Sequence, residues 1–476
     1  MNAPLSKTLE RAARGAMAML AALALMVGTT RSAYADGGGL IRDTEIEDTL
    51  RVYATPVWQA AGLNPDDIDI YILDDNSINA FVSNGQNIFV HTGLILAARS
   101  PNEIIGVIAH ETGHIEGGHL ARSYEAMQRS MRPALISIGL GVLAIAAGAG
   151  DAGAALIAGA PQFAQANYVR HTQVQESSAD QAAATFLEDS GQSGEGLISF
   201  FNRELRPYEF SQRHVPAYMI THPFTSDRVE ALRRRVEANP HRDTPDTPDN
   251  IQRFQFMQAK LVGFLRTQGQ TLARYPLTDH SQPARYARAV AYYRVSDLPN
   301  ARAELQSLIA ESPNNPYFQE LMGQILFENG RAAESIPFHR RSVELAPHKP
   351  LLEINLARAL TAANGRAGSD EAVSLLQDAL AREPDNAFAW RELASTHDLR
   401  GEEGLAELAS AEQNFAMGDF GAAQNFAERA RRELTRGTPS YQRAADLVSF
   451  STDELSRQRE QHGGQGGEGG FSTLSH

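Results

Sequence analysis

No cysteine occurs among the 476 residues. Its absence excludes disulfide staples, thiolate nucleophiles, thiolate metal ligands and lipidation through cysteine. Basic residues are outnumbered, 43 Lys and Arg against 57 Asp and Glu, and no basic tract stands out, which argues against nucleic acid as a partner. Charged residues still make up 21% and hydrophobic ones 42%, so the body is not disordered by composition, and its length asks for two or three cores. Outside the first residues no apolar run is long and uninterrupted enough for a span of ~20 residues.

What is present begins with an export signal. Lys7, Arg11 and Arg14 precede an apolar run from Ala16 to Gly28, and Ala33-Tyr34-Ala35 has the small-x-small form of a cleavage site. Residues 1–35 therefore read as a signal peptide, cut after Ala35, and the expected location is the periplasm. The alternative is an N-terminal membrane anchor, for which the run is short. Loss of residues 1–35 removes four basic residues and Glu10, so the mature chain carries −17, which disfavours adsorption to anionic lipid.

Residues 36–240 read as one domain, 241–250 as a linker, 251–450 as a second domain and 451–476 as a Gly-rich disordered tail. In the first, residues 45–62 have helical spacing. Ile68, Ile70 and Ile72 mark a strand, and Ala80-Phe81-Val82 and Ile88-Phe89-Val90 flank Asn84-Gly85 as a hairpin. Pro101 opens a helix running into His110, and residues 162–190 are helical again. In the second domain Pro313, Pro347 and Pro384 are spaced by 34 and 37 residues, with Arg366 to Asp370 as an extra loop; the period is that of tetratricopeptide helix pairs. Asn414 to Leu434 reads as a weaker unit.

His110-Glu111-Thr112-Gly113-His114 fits H-E-x-x-H. On a helix, residues four apart share a face, so both imidazoles can reach one ion, while Glu111 sits roughly 100° round, placed to take a proton from the attacking water. A catalytic zinc wants a third protein ligand and an open position. Glu176 is the candidate, with Asp180 one turn on as acceptor for a ligand imidazole. One zinc per chain is expected. His119 is read as a packing or supporting residue; His171 and His214 are ordinary histidines. Pro223 forces His222 out of helical geometry. His222 then either caps the metal at its fourth position, stabilises an oxyanion, or simply enters a helix.

These motifs, in this order, resemble the HtpX and CAAX-prenyl-endopeptidase type of zinc peptidases, and within it the BepA-type periplasmic proteases that support outer-membrane assembly and carry C-terminal tetratricopeptide repeats. Asn79-Ala80-Phe81 and Val90-His91-Thr92-Gly93-Leu94 look like segments that precede the metal helix in that family. The resemblance implies His110, His114 and Glu176 as zinc ligands, Glu111 as catalytic base and Asp180 as the acidic position that follows the third ligand. Ser177 and Ser178 depart from the family pattern and put the support of Glu176 in doubt.

The expected fold is an α+β zincin-like metallopeptidase domain, mostly helical with a small sheet, followed by an all-α tetratricopeptide solenoid. The expected function is hydrolysis of peptide bonds in unfolded or misassembled envelope proteins, with the strand around Ile88-Phe89-Val90 pairing to an extended substrate. The alternative is a chaperone or adaptor of outer-membrane protein assembly, with repeats that hold clients or assembly machinery and a zinc site mostly closed. The intact Glu111 favours the enzyme, and a purely structural zinc would normally use cysteine. The apolar tract 134–160, interrupted only by Asp151, is a buried hairpin, a lid or a weak peripheral membrane contact.

Overall fold

The computed structural model describes residues 39–83, 85–122, 135–138, 140–142, 144, 150–208 and 217–463. The segment 1–35 expected to be a signal peptide, Asn84, His214, the end of the tail and part of the 134–160 tract lie outside them. The chain divides into two units, residues up to 42 with 49–254, and 43–48 with 255–476.

In the first unit a four-stranded sheet has the order β1-β2-β4-β3, with β1 Leu40–Ile41, β2 Ile70–Leu73, β3 Ala80–Ser83 and β4 Asn87–His91. β3 and β4 form the expected hairpin, pairing Ala80 with Val90 and Ser83 with Asn87. Gly85 takes φ +91° in the turn, which only glycine adopts cheaply. β4 also runs parallel to β2, pairing Ile70 with Ile88. The rings of Tyr71, Phe89 and Phe81 stack across the three strands, with centroids 5.1 Å apart at each step. This order corrects one expectation. The Ile88–Val90 strand is interior, with both sides already paired, and cannot receive a substrate. The edge is β3.

Around the sheet pack α1 Thr44–Ala60, α2 Thr92–Ala97, α3 Pro101–Glu116, α4 Gly150–Asp189, α5 Glu195–Phe200, α6 Ala217–Thr221 and α7 Ser226–Glu237. α3 starts where its sequence says it should. Ser100 accepts from the Glu103 amide and Pro101 occupies the first turn. Its apolar residues Ile104, Ile105, Val107, Ile108 and Ala109 are fully buried, which drives the following His110 and Glu111 into the interior. α4 is longer than the sequence suggests. It begins at Gly150, so it absorbs the second half of the apolar tract. Where α3 and α4 cross, a Cβ on Gly113 would lie 2.8 Å from the Ala179 carbonyl oxygen. Glycine there lets the two backbones approach closely.

The linker is held rather than loose. Ser193 donates to the Arg242 carbonyl, Asn102 N–H to Asp246 at 3.4 Å, and Tyr53 to the Asn250 carbonyl at 2.7 Å.

The second unit is an array of antiparallel helix pairs. After α8 Pro248–Leu265 and α9 Gln268–Arg274 come α10 Gln282–Arg294 with α11 Leu298–Glu311, α12 Pro316–Glu328 with α13 Ala332–Leu345, and α14 Pro350–Asn364 with α15 Ser369–Arg382. The pairs α16 Ala387–Arg400 with α17 Glu403–Ala416 and α18 Phe420–Glu433 with α19 Pro439–Gly463 complete it. First helices start 34, 34 and 37 residues apart from Gln282 to Ala387, and the extra residues are a short turn at Gly365–Gly368. Small residues such as Ala289, Ala357, Ala389 and Ala427 are buried between helices, as close pairing requires. Three sequence boundaries move. Asn414 belongs to α17, so the last pair starts at Phe420. Residues 451–463 are helix, because good helix formers run to Gln461 and the glycines start only at Gly463. Residues 43–48 group with this unit, since Lys260 is buried against Asp43 at 2.7 Å and Glu45 at 3.3 Å.

Candidate metal centre

Three elements bring the site together. α3 supplies His110, Glu111 and His114. α4 supplies Glu176 and Asp180. The segment after α6 supplies His222, whose amide closes on the Tyr218 carbonyl at 2.7 Å before Pro223 ends the helix. α6 is itself tied to the sheet, the Tyr218 amide donating to the Ile78 carbonyl at 3.2 Å.

His110, His114, Glu176 and His222 each offer one donor atom, all within 4.8 Å of one another. His110 Nε2 lies 3.1 Å from His114 Nε2 and 3.3 Å from His222 Nδ1. Glu176 Oε1 lies 3.2 Å from His222 Nδ1 and 3.4 Å from His114 Nε2. A tetrahedron of N and O donors about 2.0–2.1 Å from a zinc-sized ion has edges of about 3.3 Å. Four of the six separations among the donors, 3.1 to 3.4 Å, match that edge, and all lie within 4.8 Å, so the set fits a divalent metal.

The surroundings fit it as well. Asp180 Oδ1 is 3.0 Å from His110 Nδ1, and His119 Nδ1 is 3.0 Å from His114 Nδ1. With Nε2 turned to the centre, His110 and His114 each have Nδ1 on the outward side. Arg228, on α7, grips Asp180 through Nε and Nη2, both at 2.8 Å, and reaches Glu176 at 3.0 Å and the Pro223 carbonyl at 2.7 Å. Three buried carboxylates, Glu111, Glu176 and Asp180, stand against the single guanidinium of Arg228, a formal charge of −2 when the imidazoles are neutral, as metal ligands are, and one that a divalent cation cancels. The negative potential bears on the two helix imidazoles differently. Burial opposes the charged form of His110, yet Asp180 and Glu176 raise its pKa to about 10. Burial and the neighbouring His110 lower His114 to about 2. Glu176 and Asp180, despite burial, are held below the usual carboxylate range, Glu176 by His222 and Asp180 by Arg228.

Glu111 stands apart. It is fully buried, its two oxygens make no hydrogen bond, and burial raises its pKa. Its nearest cationic candidate is His222 Nε2 at 3.4 Å, and that nitrogen also lies 3.3 Å from the Ala80 carbonyl on β3. The Tyr218 ring stacks on His222 at 4.5 Å between centroids.

Of the residues read from sequence, His110, His114, Glu176 and His222 converge, Glu111 and Asp180 flank them, and His119 supports His114. His171 lies outside the cluster. Of the two serines that depart from the family pattern, Ser178 is exposed and neither is hydrogen-bonded into the site. Sequence reading missed Arg228 and Tyr218. A basic residue six positions beyond His222-Pro223, on a face shared with the buried Leu232, is the one signal that points to Arg228.

Residues 40–236 match Peptidase family M48. The chain is 26% identical over 350 residues to a beta-barrel assembly-enhancing protease of Yersinia pestis, covering 71% of this chain and 70% of that one. It is 26% identical over 355 residues to the protein of that name from Escherichia coli K12, covering 73% and 70%. A shorter stretch of 196 residues is 26% identical to the Escherichia coli metalloprotease LoiP, covering 39% of this chain and 70% of that one. Among solved structures, MamA aligns at 18% identity over 36% of this chain and 96% of its own, with a TM-score of 0.27, too low to bear on the fold.

Proposed function

We propose that this chain, a metallopeptidase by its match to Peptidase family M48, is an exported zinc endopeptidase acting on unfolded or misassembled envelope proteins. The observation that carries the reading is the four-donor cluster with the buried Glu111, whose oxygens make no hydrogen bond, beside it. The names of the relatives, which concern β-barrel assembly, support outer-membrane protein quality control in the periplasm.

His110, His114 and Glu176 would hold the zinc, and His222 is the fourth donor of the resting site. Held there, zinc would supply Lewis-acid chemistry, polarising the scissile carbonyl and making water a better nucleophile at neutral pH. Glu111 takes the proton of the attacking water and delivers it to the leaving amine. Its burial suits the first of these steps, because a carboxylate with raised pKa is a stronger base toward the water proton. Asp180 fixes the His110 ring by accepting from Nδ1, Arg228 fixes Asp180, and His119 does the same service for His114.

The same geometry supports a latent enzyme. His222 occupies the position that the substrate carbonyl and water need, and its other nitrogen covers Glu111. Its departure also releases the Ala80 carbonyl on the sheet edge, so an extended chain pairing along β3 would gain an acceptor as the site opens. The chaperone or adaptor reading thereby becomes the resting state of the enzyme, with the helix pairs as the holding surface. Leu135, Ile136, Ile138, Leu140 and Val142 are exposed, which favours the lid or membrane-contact reading of their tract over a buried hairpin. No helix of the described residues is long and apolar enough to cross a membrane.

The test is cleavage of casein and of an unfolded porin by purified chain, with bound metal measured on the same sample. Absence of cleavage by metal-loaded wild type and by a His222→Ala variant alike would overturn the enzyme reading.

A further inference from the structure

We propose that the cationic cavity between the last two helices binds a carboxylate-rich peptide segment through Arg431, Arg432 and Arg436. The cavity, about 480 Å³, is lined by those three residues with Glu428, Leu434 and Tyr441. Among the described residues, no side chain pairs with any of the three arginines by a salt bridge or hydrogen bond, and the Nε of Arg431 is buried without a partner. Arg431 does lie over the Tyr441 ring, 5.8 Å from its centroid.

The neighbouring arginines are different. Arg429, on the same helix, binds Glu407 at 2.9 and 3.0 Å and stacks on Phe426 at 4.2 Å. Arg443 binds Glu412 at 2.5 and 2.8 Å. In a chain of net charge −14, acids are plentiful, yet this cluster has been left unpaired. Basic residues in a last helical turn are favoured by the helix dipole, and that explains Arg431 and Arg432 at the end of α18. It does not explain Arg436, which lies beyond the helix, or a cavity shared with an aromatic ring.

The chemistry selects the ligand. Guanidinium groups take carboxylates through two parallel hydrogen bonds. Tyr441 and Leu434 offer an apolar wall to the stems of Asp or Glu side chains. Glu428 would repel a compact dianion such as phosphate, but it can accept the backbone N–H of a peptide. An acidic stretch of a protein chain therefore fits better than a free phosphate or lipid headgroup. The inference does not depend on the catalytic reading, because the cavity lies wholly within the helical array.

The experiment is fluorescence anisotropy of a fluorescein-labelled acidic octapeptide, rich in Glu, on the full chain, with probe integrity checked by mass spectrometry. Saturable binding that weakens with salt is expected. Arg431→Ala and Arg436→Ala should each weaken it by about tenfold. Arg436 is exposed beyond a helix end, so its variant should keep full helical circular dichroism. Arg429→Ala should bind as wild type does. The proposal is overturned if the peptide does not bind, if its Gln-for-Glu counterpart binds equally, if the Arg variants bind unchanged, or if inorganic phosphate binds in place of the peptide.

Discussion

Arg228 holds Asp180 with two nitrogens at 2.8 Å, and Asp180 in turn lies 3.0 Å from the Nδ1 of His110. The guanidinium also holds the Pro223 carbonyl, so one side chain sets both a ligand ring and the turn that carries His222. Losing it leaves Asp180 as a buried unpaired charge. Arg228→Ala is expected to weaken zinc binding by about 10–100-fold, and Arg228→Lys, which lacks the fork, should rescue it only in part. Competition with a chromogenic chelator measures this; unchanged affinity in both variants would mean that Arg228 is merely structural.

His222 is expected to act as a cap. Removing it leaves three protein ligands, enough for a catalytic zinc, and uncovers Glu111. His222→Ala should keep its metal and raise basal casein cleavage by about tenfold, the shift that loss of a modest closing free energy produces. Tyr218→Ala, which removes the ring stacked on His222, should move in the same direction by less. A large fall in turnover with His222→Ala would instead assign it to oxyanion stabilisation.

Gly113 marks a close approach of the two ligand-bearing helices. Gly113→Ala puts a methyl 2.8 Å from the Ala179 carbonyl oxygen and must push α4 away. A loss of about 1–3 kcal/mol is expected, together with weaker metal binding as Glu176 recedes. Thermal unfolding of the metal-free and metal-loaded chain reads both effects; a neutral substitution would show that the helices can separate freely.

The helical array has a pH dependence of its own. His339 is buried, and its burial, followed by the nearby Arg358, lowers its pKa to about 4. The unfolded chain, with a histidine near 6.5, therefore binds more protons at intermediate pH. Stability from this group is fully present above about pH 6.5 and is lost as pH falls towards 4. Between pH 7 and pH 5 the loss should be about 2 kcal/mol. Urea unfolding of wild type and His339→Gln at both pH values tests it, and an equal drop in the two proteins would contradict it.

Local patterns were legible in the sequence. H-E-x-x-H is a helix-face rule, and Glu176 and Asp180 have the same four-residue spacing, so that each pair shares a helix face follows from local pattern alone. The β3–β4 hairpin and the repeat period were local too. What was not legible depends on long-range order. Ile88–Val90 lies in the interior of the sheet because β2 pairs with β4 in parallel across 18 residues, which no local pattern encodes. His222 takes the fourth donor position because α6 is anchored to Ile78 on the sheet side, and Arg228 reaches Asp180 from another helix. The tail boundary was misplaced for a simpler reason: compositional reading gave the glycines after Gly463 too much reach into a sound helical stretch.

The most direct measurement is casein turnover per bound zinc for wild type and Glu111→Gln. Glu111 is 3.4 Å from His222 but is not among the four donors, so its substitution should leave about one zinc per chain. Turnover should fall by about 100-fold or more, because the proton relay is gone while the metal stays. Full turnover in metal-loaded Glu111→Gln would contradict the assignment of Glu111 as the base and, with it, the proposed mechanism.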